Sequence, residues 1–316
     1  MHGSVVALAI TAVVRDWVGA PFLPVLSLLI GASFAGLTFL GHETLHGAVV
    51  RNRVVRHVVG FIGFLPFTIS PTLWVAWHNR VHHGNTNHAE LDPDAYPTLD
   101  AYKQSRAIRV AIELAPGRSR WTFALALCVA LSVQGAQVLL RARRPGYLSN
   151  RAYVQAWLET VLGWAIWGSL AVYGGVTALV FAYLLPLFVA NAIVMAFIFT
   201  NHSLSPLTAK NDALLNSLSV TLPAWLEWLT LRFGYHVEHH IYPSMSSRHA
   251  PEVRALLLRD WPERYQSMPL IRALTEIHRS ARVYNTSSTL IEPRSGREWQ
   301  TLMPRAVPDL PKRMAS

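Results

Sequence analysis

Three histidine clusters, each set at the edge of a long apolar run, constrain this chain more than any other feature. They read His42-Glu43-Thr44-Leu45-His46, His78-Asn79-Arg80-Val81-His82-His83 and His236-Val237-Glu238-His239-His240. A single histidine, His202, follows another apolar run in Thr200-Asn201-His202-Ser203. Together these positions hold nine of the fourteen histidines. Imidazole is the commonest protein ligand for iron, zinc and copper. So many imidazoles in this arrangement point to a metal site at a membrane edge, for two ions.

On a helix, residues i, i+3 and i+4 share a face. His42 and His46 are so related, as are His78 and His82, with His83 turned about 100° away by the helix period. His236, His239 and His240 stand at i, i+3 and i+4. Each cluster can present two imidazoles to one ion and lean a third toward a neighbour. Adjacent histidines suit two metals about 3.5–4 Å or somewhat more apart. His2, His57, His249 and His278 have no clustered partner and read as surface or headgroup residues; His88 lies near the second cluster without belonging to it.

The chain is 52% hydrophobic and 15% charged, with the apolar residues gathered in runs, which describes an integral membrane protein. Its net charge of +10 suits a bilayer with anionic headgroups better than nucleic acid. The lone Cys128 excludes an internal disulfide and a cysteine-held iron–sulfur cluster, and reads as a small buried hydrophobe. Nothing resembles a cleavable signal peptide.

A helix needs about 20 apolar residues to cross the hydrocarbon. Candidate runs are 4–19, 21–41, 54–77, 121–140, 154–174 and 176–199, with a weaker amphipathic run at 214–233. If the clusters share one site, they must lie on one side of the membrane, and that fixes parity. Run 54–77, broken by Pro66 and Pro71, must then re-enter or lie in the interface. Run 121–140 carries Gln134 and Gln137, precedes Arg141, Arg143 and Arg144, and is expected not to cross. Runs 154–174 and 176–199 form a hairpin turning at Gly174-Gly175, and 4–19 with 21–41 a first hairpin with the N-terminus inside. The expectation is an all-α integral membrane protein with about four transmembrane helices in two hairpins, in-plane interfacial helices and a cytoplasmic cap. Residues 1–240 make the membrane domain and the basic segment 241–316 its cap. Trp74, Trp77, Trp225 and Trp228 read as interface anchors.

The three clusters, in this order, resemble the histidine boxes of the membrane fatty-acid desaturase superfamily. The words around them are similar too: His-Glu-Thr-Leu-His-Gly at 42–47, Thr86-Asn87 and Asp92-Pro93-Asp94 after the second box, and His-Val-Glu-His-His-Ile-Tyr-Pro at 236–243. The resemblance covers roughly residues 20–250. It implies a centre of two iron ions at the cytoplasmic membrane face, with O2 as co-substrate. Position by position, its ligands would be His42, His46, His78, His82, His83, His236, His239 and His240, with His202 as the extra ligand and Asn201 a water-mediated alternative. Iron rather than zinc comes from this resemblance and not from spacing. Carboxylates behind the imidazoles would balance their charge, the candidates being Glu43, Glu238, Asp92 and Asp94.

The implied reaction is O2-dependent desaturation of an acyl lipid or acyl-CoA. The chain carries no haem, flavin or cysteine cluster motif, so the electrons would come from an external donor: a ferredoxin, rubredoxin or cytochrome b5. No His-Pro-Gly-Gly haem motif occurs, so no fused cytochrome b5 domain is implied. Within the superfamily, a carotenoid ketolase or hydroxylase and a fatty-acyl hydroxylase share these histidines; Phe233-Gly234-Tyr235-His236 is similar to the ketolases. The rival from another class is a membrane metal transporter or receptor. Transport sites sit near the bilayer midplane on broken helices, whereas these clusters lie at the ends of runs.

Overall fold

The computed structural model describes residues 1–113, 120–143 and 147–303; Arg144 of the basic run lies outside them. Its helices are α1 (His2–Val14), α2 (Leu23–Leu45), α3 (Arg53–Phe64), α4 (Pro71–Trp74, continuing as a π-helix over Val75–His82), α5 (Leu99–Gln104), α6 (Arg106–Glu113) and α7 (Arg120–Arg141). They continue with α8 (Asn150–Ala178), α9 (Leu185–His202), α10 (Ala213–Asn216), α11 (Ala224–Leu229), α12 (His236–Ile241), α13 (Ala250–Asp260) and α14 (Leu270–Arg279). Four three-residue strands complete it: β1 (Ser219–Thr221) runs parallel to β2 (Ser267–Pro269), and β3 (Thr289–Ile291) antiparallel to β4 (Glu298–Gln300).

Three described helical stretches are long and apolar enough to cross a membrane: Ala20–Leu45, Trp121–Arg141 and Asn150–His202. The third is a hairpin. Trp167 stacks on Tyr183 with ring centroids 4.3 Å apart, whereas sixteen residues of straight helix would separate them by about 24 Å. The chain reverses at Gly175, whose φ of 68° and ψ of −169° are open only to glycine. The expected turn is therefore present.

Run 54–77 breaks as its prolines require. Arg53–Phe67 and Pro71–His82 meet at 99°. Pro66 opens a 3₁₀ turn and Thr68 sits in the left-handed region at φ 53°. Ser70 then caps the next helix by accepting from the Leu73 N–H. Glu159 of α8 clasps this break, accepting from the hydroxyls of Ser70 at 2.5 Å and Thr72 at 2.9 Å and meeting His57 at 2.8 Å. His57 is thus an ion-pair partner rather than a free surface residue.

Other expectations change. α1 packs against α2 as the expected hairpin arm, but its 13 residues fall short of a span. α7, expected not to cross, has the length and composition of a spanning helix. Its Phe123 nevertheless touches His278 of α14, and its Leu139 packs with Leu73 and Ala156. The run 214–233 is no single helix: Pro223 interrupts it, and β1 lies between α10 and α11. Trp74 and Trp77 are buried, so of these four Trp225 and Trp228, each 63% exposed, fit the role of interface anchors. Cys128 is only partly buried.

Lipid tails are as apolar as leucine, so spanning helices associate through close packing at small residues. α2 meets α3 where Gly41 faces Gly63, and a Cβ on Gly63 would lie 2.7 Å from both the Gly41 Cα and the Leu37 carbonyl oxygen. Both obstacles are backbone and cannot rotate away. Gly63→Ala is expected to cost about 1–3 kcal/mol by overpacking, read as a lower melting temperature of the detergent-purified protein; an unchanged midpoint would contradict this packing.

Candidate metal centre

The nine histidines singled out in the sequence converge into two groups. His42, His46, His78, His83 and His239 form one, and His82, His202, His236 and His240 the other; within each, candidate ligand atoms lie within 4.8 Å of one another, as they do in a third set, His78, His82 and Asp94, that bridges the two. The partition differs from simple helical spacing in one instructive place. Val75–His82 is a π-helix, closed by the His83 N–H on the His78 carbonyl. An i→i+5 turn brings His78 and His83 together and sends His82 to the other group, where an α-helix would have paired His78 with His82. In α12 the ordinary period holds: His236 and His240 share a group and His239 faces the other.

Ring nitrogens approach closely. Nε2 of His78 lies 2.9 Å from Nε2 of His42 and 3.2 Å from that of His83, which is itself 3.2 Å from Nε2 of His239. Nε2 of His236 lies 2.7 Å from Nε2 of His202. The backs of the rings are held by acceptors. His202 Nδ1 donates to the Asn216 carbonyl at 2.9 Å, which fixes its tautomer and leaves a lone pair on Nε2. His82 Nδ1 lies 3.0 and 3.1 Å from the two oxygens of Asp92 and 3.5 Å from Asp94. Glu43 reaches His42 at 3.3 Å and His239 at 3.8 Å, and the Thr86 hydroxyl stands 3.2 Å from His240 Nδ1. Nε2 of His46 and of His240 are buried with no hydrogen-bond partner. Buried polar atoms are rarely left so. Inward lone pairs, outward acceptors and orphaned nitrogens fit metal ions ligated by neutral imidazoles.

Burial, reinforced by the neighbouring imidazoles, pushes His236, His239 and His240 well below the usual histidine range. They are neutral at physiological pH, the form that binds metal. Burial alone would raise the Asp92 carboxyl, but His82 and the backbone N–H groups of Asp94 and Asn87 more than offset it and hold it below the ordinary range.

Glu238 stands apart from the other three carboxylates. Its oxygens meet the Ser219 hydroxyl at 2.6 Å, the Tyr265 hydroxyl at 2.6 Å and Arg254 Nε at 3.0 Å, not an imidazole. It ties the ligand helix α12 to the segment after 240. Asn201 is buried with its side-chain oxygen unpartnered, and His88 lies outside both groups, capping its own turn.

Beside the histidines lies a cavity of about 180 Å³, walled by Phe39, Phe64, Leu131, Val194, Met195 and Phe199, with His42, His78, His82, His202 and His236 at its polar end. Trp74 and Trp77 also face it, a role the sequence reading missed. The signal was there: Trp74 precedes His78 by four residues and stacks on its ring at 4.5 Å. Gln134, read from sequence only as a reason not to cross, donates to Asp94 at 2.6 Å, as does Trp77 Nε1 at 2.9 Å.

The family "Fatty acid desaturase" matches residues 19–271, and the chain belongs to that family. It is 23% identical over 251 residues to the chloroplastic omega-6 fatty acid desaturase of Spinacia oleracea, covering 76% of this chain and 54% of that one. It is 22% identical over 249 residues to the sn-1 oleoyl-lipid 12-desaturase of Synechocystis sp., covering 76% and 69% respectively. A shorter similarity, 28% over 92 residues, covers 29% of this chain and 24% of the sn-1 acyl-lipid omega-3 desaturase (ferredoxin) of Synechocystis sp.. The chain thus spans about half the length of the plant relative.

Two outcomes follow. Asp92→Asn should weaken metal retention about 10–100-fold by loosening His82, measured as metal per chain after dialysis against graded chelator; retention equal to the unaltered protein would remove Asp92 from the centre. Acid should act with a definite sign. His236, His239 and His240 refuse protons that the unfolded chain accepts, and they outnumber His82, which against its burial Asp92 raises to about 9 and which acts with the opposite sign, so metal-free protein loses stability as pH falls below about 6.5. Melting curves across pH 8 to 5 check this, and a midpoint that rises on acidification would contradict it.

Proposed function

We propose that the chain is an O2-dependent fatty-acyl desaturase acting at a histidine-held pair of iron ions. The observation that carries this reading is the seating of two converging imidazole groups at the polar end of an apolar cavity, in a chain of the desaturase family. His42, His46, His78, His83 and His239 would hold one iron, and His82, His202, His236 and His240 the other. Iron, when bound, would supply with O2 and two external electrons the oxidising power to remove two hydrogens from adjacent CH2 groups, which side chains alone cannot do.

This chain's own residues do the positioning. The apolar wall receives the acyl chain and keeps water away, while Trp74 and Phe233 pack directly on the ligand rings. Asp92, Glu43 and the Asn216 carbonyl hold the rings in place from behind. The Asp94–Gln134–Trp77 triad forms the polar edge of the cavity. In this reading α2 and the two arms turning at Gly175 cross the bilayer, α3 and α4 re-enter, and α7 lies against the bundle with both ends on the histidine side. The centre then faces the cytoplasm, beside Arg141 and Arg143, and residues 241–316 cap it. An external one-electron carrier supplies the electrons, as the name of the ferredoxin-using relative suggests.

The test is the lipid profile of a desaturase-deficient host expressing this chain beside a His239→Ala version. Newly unsaturated acyl chains with the intact protein only, at least ten-fold above the variant, are expected. Oxygenated lipids or carotenoids with unchanged acyl chains would replace the reading with hydroxylation or ketolation. Unchanged lipids in the presence of a working electron donor would overturn it.

A further inference from the structure

Away from the apolar cavity, α11 and the residues after it enclose a second space of about 410 Å³, bounded by Leu37, Leu40, Trp228, Leu231, Arg232 and Arg248. Its character is mixed. Leu37 and Leu40 belong to the spanning helix α2, one turn before His42, and Trp225 and Trp228 project beside it at 63% exposure. Paired exposed tryptophans mark the headgroup level of a bilayer. Two guanidinium side chains face the same space, and Nη1 of Arg232 donates to the Arg248 carbonyl at 2.7 Å, which holds the two segments together. The acid lining it, Glu227, accepts from the Tyr235 hydroxyl at 3.1 Å.

The space leads toward the histidines. Arg232 and Ser247 also line a small cavity of about 20 Å³ that touches Glu43, His236 and His239. Phe233 and His236 line both that small cavity and the apolar one. Three spaces therefore adjoin through shared walls: a cationic cleft beside the exposed tryptophans, a small cavity along His236 and His239, and an apolar chamber. Phe233 stands between the last two, stacked on Phe39 at 4.5 Å. The backbone immediately before it is strained. Leu231 and Arg232 both take left-handed conformations, at φ 52° and 58°. Such conformations are costly for residues other than glycine, and strain of this kind collects at ligand clamps and switches.

We infer that the Arg232–Arg248 cleft seats the phosphate-bearing head of the acyl ester, whose chain passes Phe233 to reach the chamber. The inference rests on the desaturase reading and names the class of carrier it takes. Guanidinium forks match phosphate oxygens in geometry and charge. The order cationic, narrow, apolar is the order of the parts of such an ester. A phospholipid and an acyl-CoA share this chemistry, and the assay separates them.

The experiment is native mass spectrometry of the full-length protein released from detergent, incubated in turn with dihexanoyl-phosphatidylglycerol, hexanoyl-CoA and uncharged dihexanoylglycerol. Arg232→Asn combined with Arg248→Gln is the variant, since asparagine tolerates the left-handed backbone and Arg248 is exposed. The unaltered protein should retain at least one phosphate probe, and the variant should retain it about ten-fold less. Retention of phosphatidylglycerol assigns a membrane lipid as carrier, and retention of hexanoyl-CoA a soluble thioester. Equal retention of all three probes, or equal retention by both proteins, overturns the seat. An Arg248→Lys version, which keeps the charge, and matched melting curves separate lost binding from lost fold. The readout needs no turnover, so an inactive enzyme leaves it interpretable, and a failed seat leaves the lipid-profile test standing.

Discussion

Nine imidazoles gathered in a nearly dry pocket set the terms for the rest of this molecule. An imidazole so placed has lost its water, and an inward nitrogen left without a hydrogen-bond partner, as in His46 and His240, is suited to a metal ion. Every ligand-bearing segment must therefore deliver its histidines to the same side of the bundle and to the same depth. α2 ends at the site, α9 ends at the site, and α12 lies across it. The segment carrying His78, His82 and His83 does not remain straight. Pro66, Thr68 and Pro71 fold it back, and Glu159 from α8 clasps the break.

The same constraint explains the local irregularities. A regular α-helix through 75–82 would aim His78 and His82 alike; the π-helix divides them between the two groups. α12 has only six residues, too few to be stable alone. It is held by tertiary ties: the Ser219 hydroxyl receives the Val237 N–H at 2.9 Å, and Glu238 is gripped by Ser219, Tyr265 and Arg254. Described residues after 240 thus brace the helix that carries His236, His239 and His240. Arg254 adds a contact over the Tyr235 ring at 3.7 Å, beside His236.

Much of the site was legible because metal ligation is chemically narrow. Histidines repeated at i, i+3, i+4 beside apolar runs have few other uses, and all nine enter the two groups. Parity likewise required the break in 54–77 and the turn at Gly175, since both follow from where the histidines must lie. Carboxylates were harder to read. Glu43 and Glu238 each sit next to a histidine in sequence, yet Glu43 meets His42 and His239 while Glu238 points the other way. Adjacency on a helix places side chains about 100° apart and does not say which of them faces the site. Trp74 and Trp77 were misread for a similar reason: a tryptophan beside an apolar run suits the interface or the substrate wall equally until its neighbours are known.

The sequence by itself determined the chemistry: the identity and number of the nitrogen donors, their gathering at the ends of apolar runs, and the apolar mass that commits the chain to a membrane. These are local properties, carried by residue type and spacing. The tertiary structure alone decided which imidazoles gather together, which carboxylates stand behind them, and which cavities share Phe233 as a wall. Those outcomes depend on backbone irregularities such as the π-helix at 75–82 and the left-handed pair Leu231–Arg232. They are conformations that no residue type imposes locally, and the packing of distant segments holds them in place.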